Sequence, residues 1–134
     1  MPTVTRWLVK TSFVYLSFAL LLGILQTIPR WTSAVFFPSY VHLLAFGWLT
    51  QLIFGISIWM LPKFSNENPR GYDWINWLTY FCLNFGLVLR FVFEPLQSVA
   101  WANWRAGGLI LSAILQWLSC IVFVGQAWFR VKGR

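Results

Sequence analysis

The chain has 134 residues, of which 59% are hydrophobic, 20% are aromatic and only 10% are charged. This composition is too apolar for an ordinary soluble domain and predicts a membrane protein. The net charge is +7, but the basic residues stand singly or in short flanks, which argues against nucleic-acid binding and favours anionic lipid head groups as partners. No phosphate-binding loop, catalytic carboxylate pair, Ser/His/Asp set or zinc-ligand spacing indicates a soluble enzyme.

The first predicted helix covers about residues 11–28 and follows a basic leader that contains Arg6 and Lys10. Its apolar run resembles a signal peptide, but the run is too long and no small-x-small cleavage site precedes Pro29. The sequence therefore predicts a retained helix. Its small or polar residues share one side, which predicts a packing face made of Ser12, Ala19, Gly23 and Gln26.

The second predicted helix runs from Pro38 to Pro62, 25 residues that include the single histidine of the chain, His42. Proline fits the first turn of a helix and the point where a helix ends, so we expect these prolines to bound the segment. On a helical wheel the residues fall on two faces. Gly47, Gln51 and Gly55 form a packing face. The other face remains for a ligand or a partner and comprises His42, Ala45, Phe46, Leu49, Ile53, Ile56 and Met60.

The third and fourth predicted helices cover about residues 74–94 and 102–128, after an aqueous loop at 63–73. Arg90 and Glu94 stand four residues apart just before Pro95, and we interpret them as a structural ion pair in preference to a proton path. On the fourth helix a common side carries Gly108, Ser112, Gln116 and Ser119. Cys82 and Cys120 lack metal-site spacing and are interpreted as small buried hydrophobic residues.

These elements predict an all-α, polytopic membrane protein, a single domain over 1–134 that forms an antiparallel bundle of four transmembrane helices. Seven of the lysines and arginines fall at the termini and in the 63–73 loop and three on the opposite side. This imbalance predicts that both termini are cytoplasmic, and we expect a bacterial inner (plasma) membrane. Tryptophans near the helix ends predict interfacial anchors.

One titratable side chain inside the predicted membrane suggests a cofactor site. His42 is expected about 6 Å inside the helix start at Pro38, with Arg90 at a comparable depth and Arg30 and Arg105 on the same side. An imidazole nitrogen can bind haem iron while guanidinium groups meet the propionates. The Pro38 carbonyl is the expected acceptor for the other ring nitrogen. Phe46 would form a wall of this haem b site.

The run H-L-L-A-F-G-W-L-T-Q-L-I-F-G-I-S-I-W-M-L-P-K, which starts at His42, resembles the second transmembrane helix of subunit I in the haem–copper oxidase and nitric oxide reductase superfamily. In that family a histidine near the outer end of this helix is an axial ligand of the low-spin haem, so the resemblance implies that role for His42. It extends over about the first two thirds of the chain. The family's catalytic subunit has many more helices and further histidines, so the resemblance implies no oxidase activity here.

Two functions remain open from the sequence. The first is a haem-binding, electron-transfer protein of a respiratory chain, in which a homodimer or a partner chain supplies the second axial ligand. The second is a cofactor-free accessory subunit of a larger respiratory or photosynthetic complex, in which His42 only bonds a neighbouring helix. A small transporter is less favoured, because neither the second nor the third helix is broken by Pro or paired Gly. No complete catalytic centre is evident in the chain alone.

Overall fold

The computed structural model describes residues 1–28, 33–66, 68–98 and 103–131. These residues form helices and no β-strand, and four helical spans are long and apolar enough to cross a membrane. The expectation of an all-α chain with four such helices is confirmed. The bounds are α1 (Thr3–Gln26), α2 (Ser33–His42), a π-helical segment (Leu43–Thr50), α3 (Gln51–Met60), α4 (Asp73–Phe93), a short 3₁₀ turn (Pro95–Ser98) and α5 (Asn103–Val131).

The first two spans start earlier than the sequence predicts. Helix α1 begins at Thr3, because no proline or glycine interrupts residues 3–10 and the basic side chains there can extend toward water. The second span, which comprises α2, the π segment and α3, begins at Ser33 and not at Pro38. Proline has a helical φ and removes only one backbone donor, so Pro38 is accommodated inside α2. His42 therefore lies nine residues past the helix start, or about 14 Å along the axis.

The π segment directly follows His42. Within it, the Thr50 hydroxyl donates to the Ala45 carbonyl five residues earlier at 2.8 Å. Such wide turns are rare and often occur beside functional sites. The helical wheel assumed a regular helix, and the π segment changes the angular relation between residues on its two sides.

Helix α1 and the second span form an antiparallel pair, here called the first hairpin. A Cβ added to Gly47 would lie 2.8 Å from Tyr15 Cγ, and one added to Gly55 would lie 3.0 Å from Leu8 Cβ. Gln51 is fully buried, and its Nε2 donates to the hydroxyl of Thr11. The predicted packing face of the second span is confirmed, because its small residues let the backbones approach.

Helices α4 and α5 form the second hairpin, and hydroxyl groups join its two helices. Ser112 Oγ donates to the Gly86 carbonyl at 2.7 Å, and Ser119 Oγ donates to the Thr79 carbonyl at 2.9 Å. Gln116 Nε2 donates to Ser112 Oγ at 3.1 Å. The predicted polar side of the fourth helix is therefore the side that packs on α4.

The two hairpins contact each other less extensively than the helices within each hairpin do. Their common apolar core is a cluster of Val4, Leu8, Phe54, Ile58, Leu83 and Leu87. Phe54 also stacks on Phe123, with ring centroids 3.8 Å apart. We call the end of the bundle near Thr3, Met60, Asp73 and Val131 the termini end, and the opposite end the His42 end.

A buried arginine joins the hairpins at the termini end. Arg130, only 5% exposed, donates from Nε to the Pro62 carbonyl at 2.9 Å and from one terminal nitrogen to the Leu61 and Ile58 carbonyls at 2.7 and 3.1 Å. Carbonyls at the end of a helix lack intrahelical donors. Arg130 therefore caps the second span, a role that the sequence interpretation of the basic tail did not include.

Candidate functional site: a carboxylate–histidine cluster

The ring of His42 is held through one nitrogen. Its Nδ1 lies 2.8 Å from the Pro38 carbonyl oxygen and 3.2 Å from Glu94 Oε1. A backbone carbonyl only accepts hydrogen bonds, so Nδ1 must carry a proton. In the neutral ring the lone pair is consequently on Nε2, the nitrogen that can bind a metal or accept a proton. The predicted contact with Pro38 is confirmed.

Glu94, in the second hairpin, contacts both His42 and Ser39 of the first hairpin and Arg90 of its own. It follows the last residue of α4 and is 8% exposed. Its Oε1 accepts from Arg90 Nε at 3.0 Å, and its Oε2 accepts from Ser39 Oγ at 3.0 Å. The predicted Arg90–Glu94 ion pair is confirmed. Since a buried carboxylate needs charge compensation and hydrogen bonds, this set of partners accounts for its burial.

Phe46 lies one turn beyond His42, and the two rings are stacked with centroids 6.0 Å apart and planes 17° apart. The His42 side chain keeps 23% of its surface exposed. Further along the second span, apolar side chains of the predicted ligand face are also exposed, namely Leu49, Ile53, Ile56 and Met60. The imidazole is thus partly covered, by Glu94 and Phe46, while these four apolar side chains further along the span are exposed.

The other predicted haem-binding arginines are placed differently. A terminal nitrogen of Arg105 donates to the Leu96 carbonyl at 2.9 Å, and its guanidinium lies 5.2 Å from the centroid of the Trp104 ring. Leu96 is two residues past Glu94, so Arg105 is at the His42 end as predicted. Arg30 lies outside the described residues. Among the predicted site residues, the structure brings His42, Phe46 and Arg90 together.

Sequence reasoning missed two features of this cluster, the contact of Glu94 with His42 and the participation of Ser39. Ser39 stands three residues before His42, a spacing that places both on one side of a helix. Glu94 ends the third span, and antiparallel neighbours bring that end back to the region of His42. Those two signals together could have indicated the cluster.

The cluster fits a haem ligand in one respect and not in another. A ligating histidine usually donates its second ring nitrogen to a carbonyl or carboxylate, and His42 does so. Arg90 Nε already donates to Glu94 Oε1, so this nitrogen does not match the predicted contact with a haem propionate. Cavities of about 360, 410 and 160 Å³ have linings that do not include His42.

Within the described residues, no group of three or more His, Cys, Asp or Glu side chains could hold a metal ion together. Cys82 and Cys120 are free thiols.

Comparisons with protein-family models, with curated proteins and with solved structures find no match to this chain. The resemblance to oxidase subunit I accordingly stays a prediction from the run that begins at His42.

Proposed function

We propose that this chain is an integral membrane protein that binds haem b through His42 Nε2 and transfers electrons. The observation that supports this proposal best is the pair of Nδ1 acceptors, the Pro38 carbonyl and Glu94 Oε1. They fix the tautomer in which Nε2 is unprotonated, and a haem on that nitrogen would supply one-electron chemistry.

Membrane insertion is supported by the four apolar spans and by exposed tryptophans near their ends, including Trp7, Trp59, Trp74, Trp104 and Trp128. The excess of lysine and arginine at the termini end favours a cytoplasmic location for both termini. A bacterial plasma membrane is the expected location.

The second axial ligand would come from another subunit, because this chain has one histidine. A twofold dimer through the exposed face of the second span would bring two copies of His42 to one haem. This arrangement also matches the exposure of Leu49, Ile53, Ile56 and Met60 on the same span.

In this proposal Glu94 and Arg90 act through His42. Glu94 keeps the ring oriented and its Nδ1 proton in place, while Arg90 compensates the carboxylate charge. Phe46 restricts ring rotation by stacking. None of these side chains needs to touch iron.

The test is the absorption spectrum and the pyridine haemochrome assay of protein purified from haem-replete membranes. We expect b-type bands in the wild type, about one haem per two chains, and loss of the bands in His42→Ala. Met60→Leu is the matched control, since Met60 shares the exposed face but lies 18 residues away, or about 27 Å. Wild type without bands, or His42→Ala with unchanged bands, would contradict the proposal.

A second candidate is a cofactor-free accessory subunit. One observation favours it: Arg90 and Arg105 already have hydrogen-bond partners within the chain. The charged side chains at the His42 end therefore need no cofactor to satisfy them. This candidate predicts no haem in the wild type, and it predicts that Glu94→Ala weakens assembly with a larger complex as much as His42→Ala or more.

A further inference from the structure

Ser39 is a buried serine whose hydrogen bond departs from the pattern of the hydroxyl groups in α1. It lies in α2, is 1% exposed, and donates from Oγ to Glu94 Oε2 of the second hairpin at 3.0 Å. A serine inside a helix can donate to a carbonyl three or four residues earlier in its own helix, as Ser12 and Ser17 do in α1. Ser39 instead uses its single donor across the hairpins, on a carboxylate.

The hydrogen bond from Ser39 occupies the carboxylate oxygen that a complete pair between Glu94 and Arg90 would use. Arg90 donates to Glu94 through Nε, to Oε1 at 3.0 Å. Pairs of arginine and carboxylate are frequently bidentate, with two parallel N–H···O bonds. Here the second oxygen, Oε2, accepts from Ser39, so among the described residues the pair with Arg90 has one hydrogen bond and not two.

The same carboxylate lies against the imidazole. Glu94 Oε1 is 3.2 Å from His42 Nδ1, and the Pro38 carbonyl oxygen is the closer acceptor at 2.8 Å. The last torsion of a glutamate side chain has no narrow preference, so its hydrogen-bond partners set the orientation of the carboxylate plane. Arg90 belongs to the same hairpin as Glu94, whereas Ser39 and His42 belong to α2. Two helices thus compete for this carboxylate.

We propose that Ser39 is a positioning residue, which holds Glu94 against the His42 ring by preventing a bidentate pair between Glu94 and Arg90. Without the hydroxyl group, the buried Oε2 has no donor, and rotation of the carboxylate toward the guanidinium group supplies one. That rotation moves Oε1 away from Nδ1, so the ring keeps only the Pro38 carbonyl as acceptor. Ser39 thereby sets how strongly Nδ1 is hydrogen-bonded and, through the ring, how basic Nε2 is.

The experiment is NMR spectroscopy of haem-free protein with ¹⁵N-labelled histidine, at a pH at which the ring is neutral. The chain has one histidine, so the Nδ1 proton gives one signal, and a hydrogen bond to a carboxylate moves this signal downfield. We expect Ser39→Ala to move it upfield, most of the way to its position in Glu94→Ala. Ser119→Ala is the matched control and should leave the signal unchanged. Ser119 is also buried, but it donates to the Thr79 carbonyl in the part of α4 nearer the termini end.

A double variant separates competition by Arg90 from a general loosening of the cluster. Lysine keeps the positive charge but lacks the planar fork of arginine. Ser39→Ala combined with Arg90→Lys should therefore return the Nδ1 proton signal toward its wild-type position. An unchanged signal in Ser39→Ala, an equal shift in Ser119→Ala, or no recovery in the double variant would overturn this role of Ser39.

Only the consequence for haem rests on the proposed function. Loss of an outer partner of a ligating histidine costs about 10- to 100-fold in metal affinity, so haem titration of Ser39→Ala should show binding about ten-fold weaker than that of the wild type. The double variant should recover part of this loss, and wild-type affinity in Ser39→Ala would overturn the role of Ser39 in haem binding. A wild type that binds no haem would contradict the proposed function alone, because the NMR signals of haem-free protein still decide whether Ser39 positions Glu94.

Discussion

The two ends of the interface between the hairpins differ in the charge that joins them. At the His42 end a carboxylate from the second hairpin, Glu94, accepts from Ser39 and lies against His42 in the first hairpin. At the termini end a guanidinium from the second hairpin, Arg130, donates to carbonyls of the first. The acid contacts side chains, among them an imidazole that can bind a ligand, whereas the base contacts only backbone.

This difference indicates which end is structural and which is suited to chemistry. Arg130 satisfies carbonyls that would otherwise lack donors at a helix end. Glu94 has an arginine in its own hairpin for charge compensation and additionally holds an imidazole. Within each hairpin, by contrast, glycine and serine contacts suffice, because small residues permit close packing of helices.

The largest effect is expected at the His42 end. Glu94→Ala leaves Arg90 without its carboxylate and removes the acceptor of Ser39, so we expect about 3 kcal/mol of destabilisation. The measurement is unfolding in mixed micelles with increasing SDS fraction. Glu94→Gln retains acceptor and shape and should fall between alanine and wild type. A change below the error of the assay for Glu94→Ala would show that this carboxylate does not join the hairpins.

Arg130→Ala should have the next largest effect, about 2 kcal/mol, because buried carbonyls lose their donors. Arg130→Lys should recover only part of this, since an ammonium group lacks the planar fork of arginine. Combining Arg130→Ala with Glu94→Ala tests whether the two ends act independently. The destabilisation of the double variant should equal the sum of the two single effects to within about 0.5 kcal/mol. A double variant that loses much less than this sum would contradict independent contacts at the two ends.

Gly47→Ala tests the packing inside the first hairpin, for comparison with the Glu94 and Arg130 contacts between the hairpins. The new methyl group would meet Tyr15 at 2.8 Å, and we expect about 1.5 kcal/mol of destabilisation. Gly107→Ala is the matched control at a position with open space, where alanine should stabilise by about 0.5 kcal/mol. Equal effects at both positions would contradict the close contact of the first hairpin.

The smallest effect is expected for Ser119→Ala. It removes one hydrogen bond between α5 and the Thr79 carbonyl, and bonds of this kind between membrane helices contribute about 0.6 kcal/mol. The same unfolding assay measures it. A loss as large as that of Glu94→Ala would reverse the order proposed for contacts within and between hairpins.

The sequence was sufficient for features that repeat along a helix. The spacing of Gly47, Gln51 and Gly55, and that of Ser112, Gln116 and Ser119, correctly identified the faces that pack. The four apolar runs correctly indicated four spans. Each of these signals depends on several residues in one helix.

The sequence was insufficient where a single residue acts across the chain. The contact of Glu94 with His42 and the capping by Arg130 join residues that are 52 and 68 or more positions apart. Nothing in either local pattern specifies the partner. The π segment was missed because helical wheels assume a constant angle per residue, and the internal Pro38 was missed because proline at a helix start is the commoner pattern.

The central claim is that the His42 end fixes the imidazole with Nδ1 protonated and Nε2 available. The protein has one histidine, so uniform ¹⁵N labelling of histidine gives the spectrum of that ring alone. With the ring neutral, the account predicts the chemical shift of a protonated nitrogen at Nδ1 and of an unprotonated nitrogen at Nε2 in haem-free protein. The reverse assignment, or averaged shifts that are the same in Glu94→Ala, would contradict it.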